Sequence, residues 1–423
     1  MRTRWYHCGS LLAASLMLAS CEQSVSPTPT GELNLSVVSG DLQEGAAGAE
    51  LPNPLVVKVT KPDGRPVRGQ ILNFRVVSGG GSVFAGTALT DERGIAQERW
   101  TLGTSGVQKV EVRAVSTSTG APQVFATFTA AIVCHDCWSI KTPLTVGRQY
   151  PVAAGINGRL YVAGGRGTSG DLLSVESYDP STESWSIVGD PMESARYGAA
   201  AAALNGQLYV VGGGGTDGRL NGLASFDPVT GHWTTHAPPP TLRVYGGAVA
   251  INGIFYFVGG TNSAFSIVGT LDAYDPATNS WTQKAPMPTP RRVLSVVAVN
   301  GILYAIGGEA LVGEGLQTTS VVEAYDPAND TWATKASLPA GRKNTVAGVI
   351  GGKIYVASGV DGCCDWATTS YAYDPGTNSW SARSAVLISR SFEVGGVLDG
   401  LFYVVGGYNN EESFLRAVEA YKP

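Results

Sequence analysis

At 423 residues the chain has room for two or three domains, and 55 glycines with 23 prolines point to many short strands and tight turns rather than to helices. A net charge of −5, with basic residues no denser than isolated pairs, argues against a nucleic-acid partner.

Residues 1–20 read as a signal peptide. Arg2 and Arg4 supply a positive start, and "GSLLAASLMLAS" is an apolar stretch too short to span a bilayer. The stretch ends in "LASC", Leu18 to Cys21, which resembles a bacterial lipobox. That resemblance implies a lipid, such as palmitate, on Cys21, and attachment to the cell envelope through that lipid alone. Glu22 rather than Asp follows, which implies the outer membrane rather than the inner. Residues 21–31 are polar and rich in Pro, Ser and Thr, as a tether is.

From 32 to 133 short apolar runs alternate with turn signals. "LVVKVT" and "ILNFRVV" flank "KPDGRPVRG", and "TDERGIAQERWTLGTSGVQKVEVRAV" continues the pattern. Alternation over about 100 residues predicts a β-sandwich. The wording resembles the bacterial Ig-like domain of the invasin/intimin type, which implies a spacer. Asp63, Asp91 and Glu92 fall at turns, where solvated carboxylates are commoner than metal ligands.

The remainder, 134–423, repeats. "YVAGG", "YVVGG", "YFVGG", "YAIGG", "YVASG" and "YVVGG" place Gly164, Gly212, Gly259, Gly307, Ser358 and Gly406 at intervals of 48, 47, 48, 51 and 48. Each follows an Asn-Gly, Gly-Gly or Asp-Gly turn. Each of the first five precedes a strand ending in Tyr or Phe, an Asp-Pro turn and a Trp: Trp185, Trp233, Trp281, Trp332 and Trp380. Four antiparallel strands per unit cannot hide both faces alone, so such units pack in a ring. The period resembles Kelch repeats, which form β-propellers. After the last repeat, "VEAYKP" has no Trp. The missing one is Trp138 in "CHDCWSIK", which matches the strand at Trp185. The sequence therefore predicts an all-β chain, an Ig-like sandwich and then a six-bladed Kelch propeller closed by an N-terminal strand at 137–141.

An arginine precedes the first strand of each unit: Arg148, Arg196, Arg243, Arg292 (with Arg291), Arg342 and Arg390. The antiparallel order brings these and the loops after the glycine doublets to one mouth. In eukaryotic Kelch substrate adaptors, arginines at matching positions bind acidic peptide side chains. Alternatively each arginine pairs with an acid on the third strand, at Glu176, Asp272, Glu323 or Glu419. Ala224 and Tyr371 stand there in the second and fifth units, and on this phasing Arg243 and Arg390 lack partners and are the preferred ligand contacts. Glu309 in "GGEALVGEG" and Trp366 in "SGVDGCCDWATTSY" join them as mouth-loop candidates.

Cys134, Cys137, Cys363 and Cys364 are expected to oxidise in an exported protein. Alternatively the two clusters form a Cys₄ zinc site, since "CHDC" has ligand-like spacing. One strand length separates the two cysteine pairs, however, and favours local pairing with no metal and no cofactor: a Cys134–Cys137 bridge is easy, whereas adjacent Cys363 and Cys364 form a strained bridge or stay reduced. Three histidines beyond the signal, His135, His232 and His236, are too few and misplaced for a galactose oxidase-like copper site. The loop at Glu309 is faintly similar to that of sialic acid mutarotases, without the arginine expected a few residues on. The expected function is an envelope lipoprotein whose propeller mouth binds an acidic peptide, protein, glycan or envelope component. A carbohydrate-active enzyme of the mutarotase type, with Glu309 as its acid/base, is the alternative.

Overall fold

The computed structural model describes residues 33–104, 107–115, 122–215, 218–362 and 365–423. The signal segment, Cys21, the tether, Cys363 and Cys364 lie outside the described residues. The chain divides into two compact units at Cys134/His135, and the described residues contain strands and no helix.

The first unit is a two-sheet sandwich. One sheet orders Asn34–Ser39, Leu55–Thr60 and Ile95–Glu98; the other carries Gln43–Gly45, Pro122–Ile132, Gln108–Val115, Ile71–Ser78 and Thr87–Leu89. Strict alternation in Leu55–Thr60 sends Leu55, Val57 and Val59 inward, where they share one core with Phe74, Trp100, Val112 and Phe128. The turn carboxylates are solvated: Asp63 and Asp91 bind the exposed arginines two residues on, and Glu92 pairs with Arg68.

The second unit is a propeller of six four-stranded antiparallel sheets. Blade one runs from the axis outward as Val152–Ile156, Arg159–Ala163, Val175–Asp179 and Ser184–Ile187. The innermost strands of the other blades are Ala200–Leu204, Gly247–Ile251, Ser295–Val299, Val346–Ile350 and Val394–Leu398. Each touches the next, and Val394–Leu398 touches Val152–Ile156, so the ring is closed.

Two kinds of glycine make this geometry possible. The hairpins joining first to second strands turn at left-handed pairs such as Asn157 (φ 49°) and Gly158 (φ 74°), which two-residue hairpins require. The first doublet glycine meets the next blade: a Cβ on Gly212 would lie 2.4 Å from the Arg243 carbonyl oxygen.

Closure uses the predicted strand. Cys137–Lys141 pairs antiparallel with Val418–Lys422, with Trp138 opposite Tyr421. The Trp138 indole N–H donates to the Ser384 carbonyl at 2.9 Å, just as Trp185, Trp281, Trp332 and Trp380 donate to the preceding blade. The clasp reaches one residue beyond the predicted strand 137–141, because Asp136 also belongs to it. Asn279, Asp330 and Asn378 each accept a hydrogen bond from their blade's tyrosine and one from a neighbouring blade's backbone N–H. Asp136 does the same for Tyr421 and Ser384, from the far end of the repeat array.

Candidate functional site

The site is built around the arginines, but not as the sequence suggested. Arg148, Arg243, Arg291, Arg342 and Arg390 are essentially fully buried. Each reaches back into its own blade, where its guanidinium binds the carbonyls that end the second strand and precede the third. Arg291, for example, donates to Gly307 and Val321, and Arg390 to Gly406 and Ala417. The acid on the third strand completes the pair: Arg148 with Glu176, Arg243 with Asp272 at 2.7 Å, Arg291 with Glu323 at 2.9 Å and Arg390 with Glu419. Burial pushes the Arg243 guanidinium down to about 10, with Asp272 opposing, so it stays charged at neutral pH.

The assignment of Arg243 and Arg390 as preferred ligand contacts is therefore corrected. The phasing is within one blade, so the missing acids at Ala224 and Tyr371 belong to Arg196 and Arg342. Arg196, half-buried, binds the Gly212 and Gly222 carbonyls instead. Arg342 binds Thr369 and lies 5.1 Å from the Tyr371 ring. Arg148, Arg196, Arg243, Arg342 and Arg390 thus hold the loops of the mouth in place and do not line the site.

Blade four has two arginines, and this separates the roles. Arg291 takes the buried position and frees Arg292, whose side chain is 29% exposed, to face the mouth. There it meets Glu309 at 2.7 Å, while Lys343 approaches the other Glu309 oxygen at 2.6 Å. Burial would raise the Glu309 carboxyl, but hydrogen bonds from Lys343 and Arg292 outweigh it and hold it below the usual range. Glu309 is a firmly ionised carboxylate.

Two residues beyond the inward-reaching arginine of each blade, at Tyr150, Gly198, Tyr245, Val293, Asn344 and Phe392, the chain turns left-handed, with φ between 50° and 63°. Backbone N–H groups link this ring blade to blade, Tyr150 to Phe392, Tyr245 to Gly198, Val293 to Tyr245 and Asn344 to Val293, at 2.7–2.9 Å. Bulky residues adopt this conformation at a cost of about 1–3 kcal/mol each, a kind of strain that clusters at functional sites. The ring turns its side chains over the axis, where Tyr150 stacks on Phe392 at 4.3 Å and lies 5.4 Å from Tyr245.

Above the ring is a cup of about 470 Å³. The Tyr150, Tyr245 and Phe392 rings floor it, Trp366 stands at its side, and Arg292, Glu309 and Lys343 supply its charge. Below lies a channel cavity of about 190 Å³ reached by Glu393. Burial raises that carboxyl to about 7 against a hydrogen bond from the Ser358 hydroxyl, and its second oxygen has no protein partner. Ser358 is the residue that replaces the fifth doublet glycine. Its departure from the repeat and the acid at Glu393 are therefore one feature.

Of the sequence candidates, Arg292, Glu309 and Trp366 converge on the cup. Lys343, Tyr150, Tyr245, Phe392 and Glu393 were missed. Tyr150, Tyr245 and Phe392 share one signal, an offset of two residues from the buried arginine of their blade, visible only once the arginines are aligned blade by blade. Cys134 and Cys137 are both disulfide-bonded. Among the described residues no group of three His, Cys, Asp or Glu could hold a metal ion.

The KLHDC2/KLHL20/DRC7 Kelch-repeats domain matches residues 123–308, and the Kelch motif matches 290–339 and 341–384. One F-box/kelch-repeat protein of Arabidopsis thaliana is 38% identical over 66 residues, 15% of this chain and 17% of that protein. A second is 31% identical over 81 residues, 18% of this chain and 19% of that protein. The matched stretches thus span less than a fifth of these relatives' length. The solved structure of YjhT superposes with a TM-score of 0.57 at 18% identity, covering 67% of this chain and 95% of that one. At that identity the likeness concerns the fold. The chain carries Kelch repeats, and they form a propeller.

Proposed function

We propose that this Kelch-repeat propeller is a binding module whose cup takes an anionic group carried by a peptide, glycan or envelope component. The observation that carries the reading is the charge in the cup: Arg292 and Lys343 against the single carboxylate of Glu309, over a floor of aromatic rings. Two cations around one acid leave a net positive site with guanidinium and ammonium donors, and Arg can hold a carboxylate bidentately. The rings offer flat apolar area beside it. Concave sites of this composition, on loops held by a rigid scaffold, are the usual form of a small-ligand site.

The alternative, a sugar-ring reaction with Glu309 as acid/base, has Glu309 inside the cup in its favour. Against it, two cations keep that carboxylate ionised, so it has no proton to donate, whereas a general acid needs a pKa near the working pH. Binding is the better-supported role.

The test is an array of acidic and neutral glycans and blocked peptides, screened with the mature chain. Hits are expected among the acidic members. Arg292→Ala or Lys343→Ala should weaken them about 10- to 100-fold, the worth of one charge-assisted contact. Added salt should weaken them as well. Arg65→Ala, on the first unit and 79% exposed, should change nothing. Neutral hits that ignore both substitutions and salt would refute the proposal. We further propose that a lipid on Cys21 holds the protein in the envelope, at the outer membrane. Cys21→Ala should move it from the membrane to the soluble fraction, and a mutant that stays with membranes would contradict this.

A further inference from the structure

Four mouth loops carry small hairpins of their own. In blades one and two their arms are two residues long, Arg166–Gly167 with Gly170–Asp171 and Gly214–Gly215 with Gly218–Arg219. Blade four differs. Its arms Glu309–Val312 and Gly315–Thr318 are four residues each and pair Glu309 with Thr318 and Leu311 with Leu316. Its base is anchored, since Glu309 bridges to Arg292 through the backbone and binds Arg292 and Lys343 through its side chain. Beyond that base, Leu311 through Gln317 are all exposed, and three of them are large aliphatics: Leu311 (64%), Val312 (53%) and Leu316 (48%).

A two-stranded sheet presents unpaired N–H and C=O groups along its edges. Natural proteins blunt such edges with lysine, proline, a bulge or a covering element. This hairpin, "EALVGEGLQT", has neither lysine nor proline, its register is regular, and its only charge beyond Glu309 is Glu314 at the turn. An open, apolar, unprotected edge is the template used when an extended peptide adds a strand to a sheet. Its position narrows the partner, because the strand that begins the hairpin starts in the cup, on the carboxylate held by Arg292 and Lys343.

We infer that the blade-four hairpin and the cup together bind one extended polypeptide segment. The segment pairs its backbone with the hairpin edge, lays apolar side chains against Leu311 and Leu316, and delivers an Asp or Glu side chain to Arg292 and Lys343. Alternate side chains of a strand face the same way, so an acid among alternating aliphatics satisfies both surfaces at once. This inference rests on the anion-binding reading of the cup and selects, among anionic ligands, an acidic-apolar peptide strand of another protein. A second copy of this chain fits less well, since the only acid its own hairpin tip offers is Glu314.

The test uses the mature chain and blocked ten-residue peptides in which one Asp is set among alternating Val and Thr. Controls replace the Asp by Asn or scramble the alternation. The Asp peptide should bind and both controls should bind more weakly. Leu311–Leu316 is then replaced by a two-residue Asn-Gly turn, with unchanged thermal melting as the check of folding. That variant should lose affinity for the Asp peptide about tenfold or more, the worth of several backbone hydrogen bonds. Amide exchange at Leu311–Gln317 should slow in the complex. Acidic glycans binding while no peptide does would overturn this inference and leave the anion site standing. Peptide binding indifferent to the hairpin would do the same, as would concentration-dependent dimers abolished by the shortened hairpin. Failure of every anionic probe would remove the anion site itself.

Discussion

Trp138→Ala is expected to lower the stability of the propeller by about 3–5 kcal/mol, the range for truncating a buried aromatic. The indole is 8% exposed, packs against Tyr421 at 5.2 Å and Phe402 at 5.9 Å, and donates to the Ser384 carbonyl. It sits on the one strand that joins the start of the propeller to its end. The loss is therefore felt by blades five and six together, and it loosens the strand that covers the outer edge of blade six. Ile140→Ala, on the same strand but 59% exposed, should cost little. Chemical denaturation of the two variants measures both. Equal midpoints would show that the clasp contributes no stability.

Glu393→Gln is expected to stabilise the protein by about 3 kcal/mol above pH 7 and to change nothing below about pH 4.5. The sign follows from the folded pKa of about 7 against an ordinary value of 4.5. Between those values the folded protein keeps a proton that the unfolded chain has released. Wild-type stability therefore falls as pH rises through this window, at about 1.4 kcal/mol per pH unit. The causes are burial first, with the Ser358 hydroxyl and Arg390 opposing and Glu419 adding to it. Arg390 is already committed to Glu419, so it offers Glu393 little compensation. Glutamine imitates the neutral acid, can still accept from Ser358, and cannot ionise. Urea denaturation from pH 4 to pH 8 should show the two proteins diverging upward from pH 4.5. Parallel profiles would mean that Glu393 is ionised throughout.

Much of the architecture was legible because it is written in period and in turn chemistry. The Asn-Gly hairpins, the glycine doublets and the repeating Trp each answer a local steric or hydrogen-bonding need, so residue type alone reveals them. The orphan Trp138 exposed the closure for the same reason. The arginines were legible as a set but not in their role. Arg148 and Glu176 are 28 residues apart and Arg291 and Glu323 are 32, so the partner of each arginine depends on a cross-strand register that spacing leaves ambiguous. A shift of one blade was enough to make Arg243 and Arg390 look free. The floor of the cup was hidden more deeply. Tyr, Val and Phe do not announce a left-handed backbone, which only the blade-to-blade hydrogen bonds impose. Lys343 was invisible because it reaches Glu309 from the neighbouring blade.

The most direct test of the central claim is a crystal structure of the protein with the tightest acidic hit from the array. The expected result is an anionic group between Arg292 and Lys343, over the rings of Tyr150, Tyr245 and Phe392, with the five buried arginines unmoved from their carbonyl and carboxylate partners. A ligand seated elsewhere on the propeller, or on the sandwich, with the Arg292–Glu309–Lys343 cluster undisturbed, would contradict the account.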